Sequence, residues 1–306
     1  MTMRTVAIYR LLYGSDFIGE SLESVYEHVD RIYCFVTSEI FGGQRVVNYF
    51  GRDVYIPHDI DGVREAIERW CDENDAQNKV RIIDNPHGAE LIGQVGKMVN
   101  ECVLPEEPEC TYLLFVECDE VWHPEQIGRL FVRARGSDAD EMQVGSHLFW
   151  RSFRYVSGRE NPYTVLRALN GRREMGETLH ALSERDQSLR RVLLQDVKVH
   201  NFGYASSERT VFWKHIAALS FSRDLGLDSP PREAWFEEVW RGWDWTLNRR
   251  TDLCPSVGHE EAFAPAAPYP FDDLPPSMQR RALARPLPEW TAQGGAQACH
   301  MNPIHS

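Results

Sequence analysis

YLLFVECDEVWHPEQI, Tyr112 to Ile127, carries three signals in succession. Tyr112 to Val116 is apolar without interruption, as a strand buried on both faces of a parallel sheet requires. Glu117-Cys118-Asp119-Glu120 then leaves that strand as a cluster of carboxylates. Pro124 opens a helix-patterned segment, EQIGRLFVRAR, where its fixed φ and missing N–H cost nothing. Strand, acidic turn and helix together place charge at the carboxyl end of a buried strand, where open α/β sheets bind ligands.

Upstream, the same alternation repeats. Thr5–Leu12, Arg31–Thr37 and Lys79–Asp84 read as strands, and Thr111–Val116 as the fourth. Helical spacing runs through Phe17–Val29, Val63–Cys71 and Ala89–Val103. Strands alternating with helices predict an α/β fold, a single Rossmann-like domain with a mostly parallel central sheet. Downstream the alternation fades. Glu141–Arg154 and Val192–Val199 read as extended, Glu208–Ser222 and Pro231–Leu247 as helices, and from Pro255 the chain is rich in Pro and Ala. The expected organisation is a ligand-binding half over residues 1–155, a helical C-terminal half over 156–250, and an extended Pro-rich tail over 251–306 that packs across the body.

The chain has 306 residues and a formal net charge of −13, with 42% hydrophobic residues and nine Trp. That composition excludes general disorder. The acidic balance argues against nucleic acid and anionic lipid partners, since the arginine pairs are isolated and form no basic patch. Seven scattered cysteines without a C-x-x-C pair imply reduced thiols and a cytoplasmic setting. No apolar run approaches the roughly 20 residues of a spanning helix, so no integral membrane segment is expected.

Along extended chain, Glu117 and Asp119 share a side while Cys118 faces inward. Such oxygen donors suit Mg²⁺ or Mn²⁺, above all when a diphosphate adds further oxygens. The same residues also read as a solvated acidic turn.

The segment resembles the family-2-type glycosyltransferases with the nucleotide-sugar-binding GT-A fold. In these the corresponding strand ends in D-x-D, often D-A-D-E, before a short helix opening with Pro. Glu117 stands for the first Asp, leaving Asp119 as the principal metal ligand that the resemblance implies. FIGESLESVYEHVDRIYCFV resembles the family's first helix and second strand. The usual Pro-x-x-N after strand one is replaced by Tyr9-Arg10-Leu11-Leu12, and the acidic end of strand two by Thr37-Ser38. VKVHNFGY, Val197 to Tyr204, resembles the H-x-x-G-Y segment in which a His completes the metal site, and His200 is the match. MGETLHAL, Met175 to Leu182, resembles the acceptor-side segment ending His-Glu; His180 matches, and Ala181 replaces the Glu.

The resemblance spans roughly residues 4 to 215. It implies a glycosyltransferase that moves a sugar from a nucleoside diphosphate sugar to a hydroxyl on a small-molecule or glycan acceptor, with inversion and a divalent cation. Glu117, Asp119 and His200 would hold the metal. Tyr9, Arg10, Tyr13, Thr37 and Lys97 would join them around the nucleotide sugar. Glu177, Asp186 and His180 are the candidates for base chemistry at the acceptor. A cationic acceptor would suit the acidic surface. Trp235, Val239 and Trp243 form a face on which a sugar ring, or simply the sheet, could stack.

Two alternatives stay open. A nucleotidyltransferase-like enzyme would use a related sheet, but its Gly-rich basic loop after strand one is missing here. A non-catalytic sugar- or partner-binding relative is consistent with Glu117 in place of Asp and the absent Pro-x-x-N.

Overall fold

Chain order begins with β1 (Thr5–Leu11), α1 (Ile18–Tyr26) and β2 (Arg31–Val36). A hairpin follows, β3 (Val46–Tyr49) and β4 (Arg52–Tyr55), turning through Phe50 and Gly51 at positive φ. Next come α2 (Val63–Asn74), β5 (Val80–Asp84) and the short α3 (Gln94–Met98), which widens into one π-helical turn at Val99–Val103 before β6 (Tyr112–Val116). The computed structural model describes residues 4–37, 46–56, 61–84, 94–158, 162–169, 189–224, 233–244, 250–252 and 263–284.

β5, β2, β1 and β6 lie side by side in that order, all parallel, as the four apolar runs predict. Strand alternation divides their side chains between two cores. Ala7, Tyr9 and Leu11 face Leu22, Val25 and Ile67 of α1 and α2, while Val6 and Ile8 face Met98, Val99 and Val103 on the other side. All four strands therefore end at one edge of the sheet.

The second half is mixed. After β7 (Glu120–Val121) and α4 (Pro124–Arg135) come β8 (Glu141–Trp150), β9 (Tyr155–Ser157), β10 (Tyr163–Ala168) and β11 (Arg191–Tyr204). β10 inserts antiparallel between β6 and β8. β11 runs parallel to β8 and, at His200 and Asn201, antiparallel to β7. The mostly parallel centre thus has an antiparallel flank that the strand runs did not announce.

α5 (Glu208–Asp224) crosses the edge where the parallel strands end. Three contacts fix it. Ser207, just before it, donates from N and Oγ to Asp16 at 3.0 Å each. Trp213 packs on Leu12 and Tyr13 beyond β1. Ile216 and Leu219 pack on Val47 and Ile56 beside the β3–β4 hairpin. Among the described residues of the expected helix Pro231–Leu247, Trp235–Arg241 forms a π-type helix. Trp235, Phe236, Trp240 and Trp243 are all buried with Trp150, so these rings are core.

The tail carries more structure than its composition predicts. β12 (Arg250–Asp252) pairs with β13 (Phe263–Pro268), and β13 pairs with β9. α6 (Pro276–Ala284) then docks on α1 through Arg281 and Glu20 at 2.9 Å, with Met278 buried in the cluster around Phe17. No helix among the described residues is long and apolar enough to cross a membrane.

His215 on α5 is 3% exposed, with Nε2 at 3.3 Å from the Glu233 carbonyl. Burial pulls its pKa down from 6.5 to about 4, opposed in part by that hydrogen bond. The unfolded chain takes up a proton near pH 6.5 that the folded chain refuses until about pH 4. The stability is therefore present above pH 6.5 and lost as pH falls through this window. His215→Asn is expected to flatten the loss by up to about 1.4 kcal/mol per pH unit. Urea unfolding of both proteins at several pH values across that window measures it.

Candidate functional site at the carboxyl end of β6

The chain turns sharply after Val116, and each acidic residue of the turn takes a different environment. Cys118 points inward, as alternation requires, and its Sγ donates to the Tyr13 carbonyl at 3.1 Å. Glu117 is exposed. Glu120 is 1% exposed and braces the turn: Oε2 accepts from the Glu117 N–H at 3.0 Å, and Oε1 accepts from the Tyr163 hydroxyl. Burial, reinforced by neighbouring Glu117, pushes the Glu120 carboxyl well above the usual range. Ser21 of α1 ties the turn down, donating to the Glu120 carbonyl at 2.6 Å.

Asp119 is 6% exposed and is the buried charge of the site. Its Oδ2 accepts from Lys214 Nζ of α5 at 2.5 Å. Its backbone carbonyl accepts from the Phe202 N–H at 2.8 Å, fixing β11 beside it. Burial pulls the Lys214 ammonium down, but the carboxylates of Asp119 and Glu117 outweigh it and hold the ammonium above the ordinary lysine range. Asp119 Oδ1 is also buried, and among the described residues it has no hydrogen-bond partner.

Gly203 on β11 explains the close approach. A Cβ there would lie 3.0 Å from Asp119 Oδ2 and 3.1 Å from Asn201 Oδ1. Asn201 and Gly203 therefore share the face of β11 turned to Asp119. His200 and Phe202 take the other face, where the His200 ring stacks with Phe149 and its Nε2 sits 2.8 Å from the Tyr269 hydroxyl. Burial pulls His200 down to about 3, helped by His147 and His123. Asp61 borders the site from the segment before α2, its Oδ2 accepting from the Gly14 and Ser15 N–H groups at 2.7 and 2.9 Å.

The fold brings Glu117, Asp119 and Tyr13 to one place, with Thr37 tied to the end of β1 by its N–H to the Leu11 carbonyl at 2.8 Å. Arg10 is half-buried on β1. Tyr9 is wholly buried, its hydroxyl 3.0 Å from Ser21 Oγ, so it braces the acidic turn from within. Lys97 is exposed on α3, whose buried side packs on the sheet face opposite α1. Glu177, His180 and Asp186 lie outside the described residues. Sequence reasoning assigned no role to Asp61, Asn201, Gly203 or Lys214. Two of these stand inside the H-N-F-G-Y segment already singled out for His200, whereas Lys214 lies in a helix with no local motif.

The described residues alone do not assemble a ligand set for a divalent cation. Among the described residues no three His, Cys, Asp or Glu side chains gather to hold one. Asp119 Oδ2 is already taken by an ammonium. That ammonium repels a nearby dication and so offsets part of the attraction Asp119 and Glu117 would exert on it.

Beyond Gly203 the chain rounds a corner into a cavity of about 340 Å³, lined by Asp16, Phe17, Arg151, Ser207, Glu208 and Trp240 among others. Arg151 sits at φ 63° with its guanidinium 4.0 Å over the Trp240 ring.

No family model and no curated protein matches the chain. Among solved structures it is similar to 4-diphosphocytidyl-2C-methyl-D-erythritol synthase from Anaerococcus prevotii DSM 20548, with TM-score 0.39, 9% identity, 69% of this chain and 94% of that chain. It is also similar to residues 1–349 of S. aureus TarS, with TM-score 0.36, 13% identity, 74% of this chain and 73% of that chain. Both likenesses are distant.

Gly14 is where β1's loop and the acidic turn touch: a Cβ would lie 2.5 Å from Cys118 Cβ and 2.6 Å from Sγ. Gly14→Ala is expected to cost about 1–3 kcal/mol in urea unfolding. Adding Cys118→Gly should recover part of that loss, a coupling that a double-mutant cycle reads directly.

Proposed function

We propose that the chain is a nucleotide-sugar-utilising transferase, and within that class a glycosyltransferase acting on a hydroxyl acceptor. The observation that carries the reading is Asp119: a nine-tenths buried carboxylate with one unpartnered oxygen, at the carboxyl end of a parallel strand, beside a cation. Ligands of open α/β sheets bind at this edge. A buried carboxylate oxygen without a donor is costly and suits a ligand hydroxyl, which a ribose or a sugar offers. The resemblance of Glu117–Glu120 and Val197–Tyr204 to the glycosyltransferase segments supports the narrower assignment.

In this reading the nucleotide sugar lies across the ends of β1, β2 and β6, near Tyr13, Thr37, Glu117 and Asp119. The acceptor hydroxyl oxygen attacks the anomeric carbon as the bond from that carbon to the diphosphate oxygen breaks. The bonding pair leaves with the diphosphate, and the acceptor proton passes to a carboxylate or imidazole. Glu177, Asp186 and His180 are the proposed groups for that proton, and inversion follows from a single displacement. The cavity beyond Gly203 has room for part of the acceptor.

Turnover of UDP-, GDP-, CDP- and TDP-sugars, read as nucleoside diphosphate release, is the test. Asp119→Asn is expected to lower turnover by about 10²-fold or more while the protein stays folded. Neither turnover nor binding of any of these donors would sink the proposal. Undiminished activity of Asp119→Asn would remove Asp119 from the site.

A further inference from the structure

A transferase of this kind must offset the charge that gathers on the departing diphosphate, and the fold already carries a cation at that point. Lys214 Nζ lies 2.5 Å from Asp119 Oδ2. It is no wandering surface lysine, because α5 is fixed by Ser207 on Asp16, by Trp213 on Leu12 and Tyr13, and by Ile216 and Leu219 on the hairpin side. Gly203 faces Oδ2 so closely that even a Cβ there would lie 3.0 Å from it. Lys214 itself is one third exposed, with its ammonium at Asp119 and donor capacity beyond the single bond to it. Asp119 Oδ1 is left for a neutral hydroxyl.

We propose that Lys214, seated on Asp119, is the resident cation of this site and contacts the diphosphate of the donor, so that nucleoside diphosphates bind without a divalent metal. The inference rests on the nucleotide-sugar reading above. Lys214 keeps its proton throughout. It donates hydrogen bonds to phosphate oxygens, offsets the charge of the leaving group, and takes no part in the bond exchange. Asp119 is then a positioning residue for the ammonium as well as a hydroxyl acceptor. In an acidic chain of net charge −13, a cation held in place by its own carboxylate gives an anionic ligand one favourable point of entry.

The experiment is calorimetric binding of UDP, GDP, CDP and TDP to the full chain, once with EDTA and once with Mn²⁺. Wild type is expected to bind at least one of them with affinities that agree within about threefold in the two buffers, a difference under half a tenfold step. Lys214→Met should bind about tenfold to a hundredfold more weakly in EDTA, the scale of one charge-assisted contact, and Lys214→Arg should keep most of the affinity. Mn²⁺ should restore binding to Lys214→Met alone, because removing the ammonium frees Asp119. Binding by wild type only with Mn²⁺, or full affinity of Lys214→Met in EDTA, overturns this inference and leaves the transferase reading standing. Absence of binding in both buffers overturns both. The wild-type arm decides the question even if Lys214→Met does not fold, which circular dichroism establishes.

Discussion

A carboxylate withdrawn from water at the end of a strand must be given a positive neighbour, and the pairing of Asp119 with Lys214 is the constraint around which this edge of the molecule is organised. Burying an unpaired carboxylate costs several kcal/mol, enough to consume much of a domain's net stability. The partner comes from 95 residues further along the chain. The fold therefore has to carry a whole helix across the sheet edge and stop it at one rotational setting.

Segments from both halves of the chain serve that placement. The β3–β4 hairpin contributes little to the main sheet, yet Val47 closes over Ile216 and Leu219 and holds the far side of α5. Asp16 captures the residue before the helix, and the corner at Phe202–Ala205 delivers the chain there after β11 has packed on the acidic turn. Ser21, Tyr9 and Glu120 fix the turn from beneath, with Glu120 spent on internal hydrogen bonds. Of three neighbouring carboxylates, one is structural, one faces solvent and one is paired. The pattern E-x-D-E conceals that division of labour, because it depends on which groups lie above and below the turn.

The four parallel strands were legible because short, mostly apolar runs rich in β-branched residues alternate with helical patterns, and the structure places each within two residues of its expected ends. Tyr163–Ala168 was not, although Val165 and Leu166 are fully buried: it lies where the strand–helix alternation has faded, and its Arg167 pairs with Glu141 inside the sheet. Trp235, Val239 and Trp243 satisfy α-helical spacing and drew a long helix there, whereas Trp235–Arg241 is a π-type helix that places Phe236 and Trp240 stacked at 5.4 Å. In the site, Asp119 was readable from its position after an apolar strand. His200 was the residue that a motif points to, but strand alternation gives the Asp119 face to Asn201 and Gly203. Lys214 was invisible for a plainer reason. Its meaning lies in a contact with a residue 95 positions away, and no local pattern encodes it.

That separation has a consequence during synthesis. At about 5–20 residues per second, Lys214 is made some 5–20 s after Asp119, and α6, which buttresses α1, later still. Until then the Asp119 carboxylate keeps its water, and the parallel strands around it present an unfinished edge. The N-terminal sheet can assemble from local β-α units as it emerges. The site is completed only by segments from the last third of the chain, so truncated nascent chains would carry the sheet and never the binding edge. Protein synthesis thus builds the scaffold first and adds the cation last.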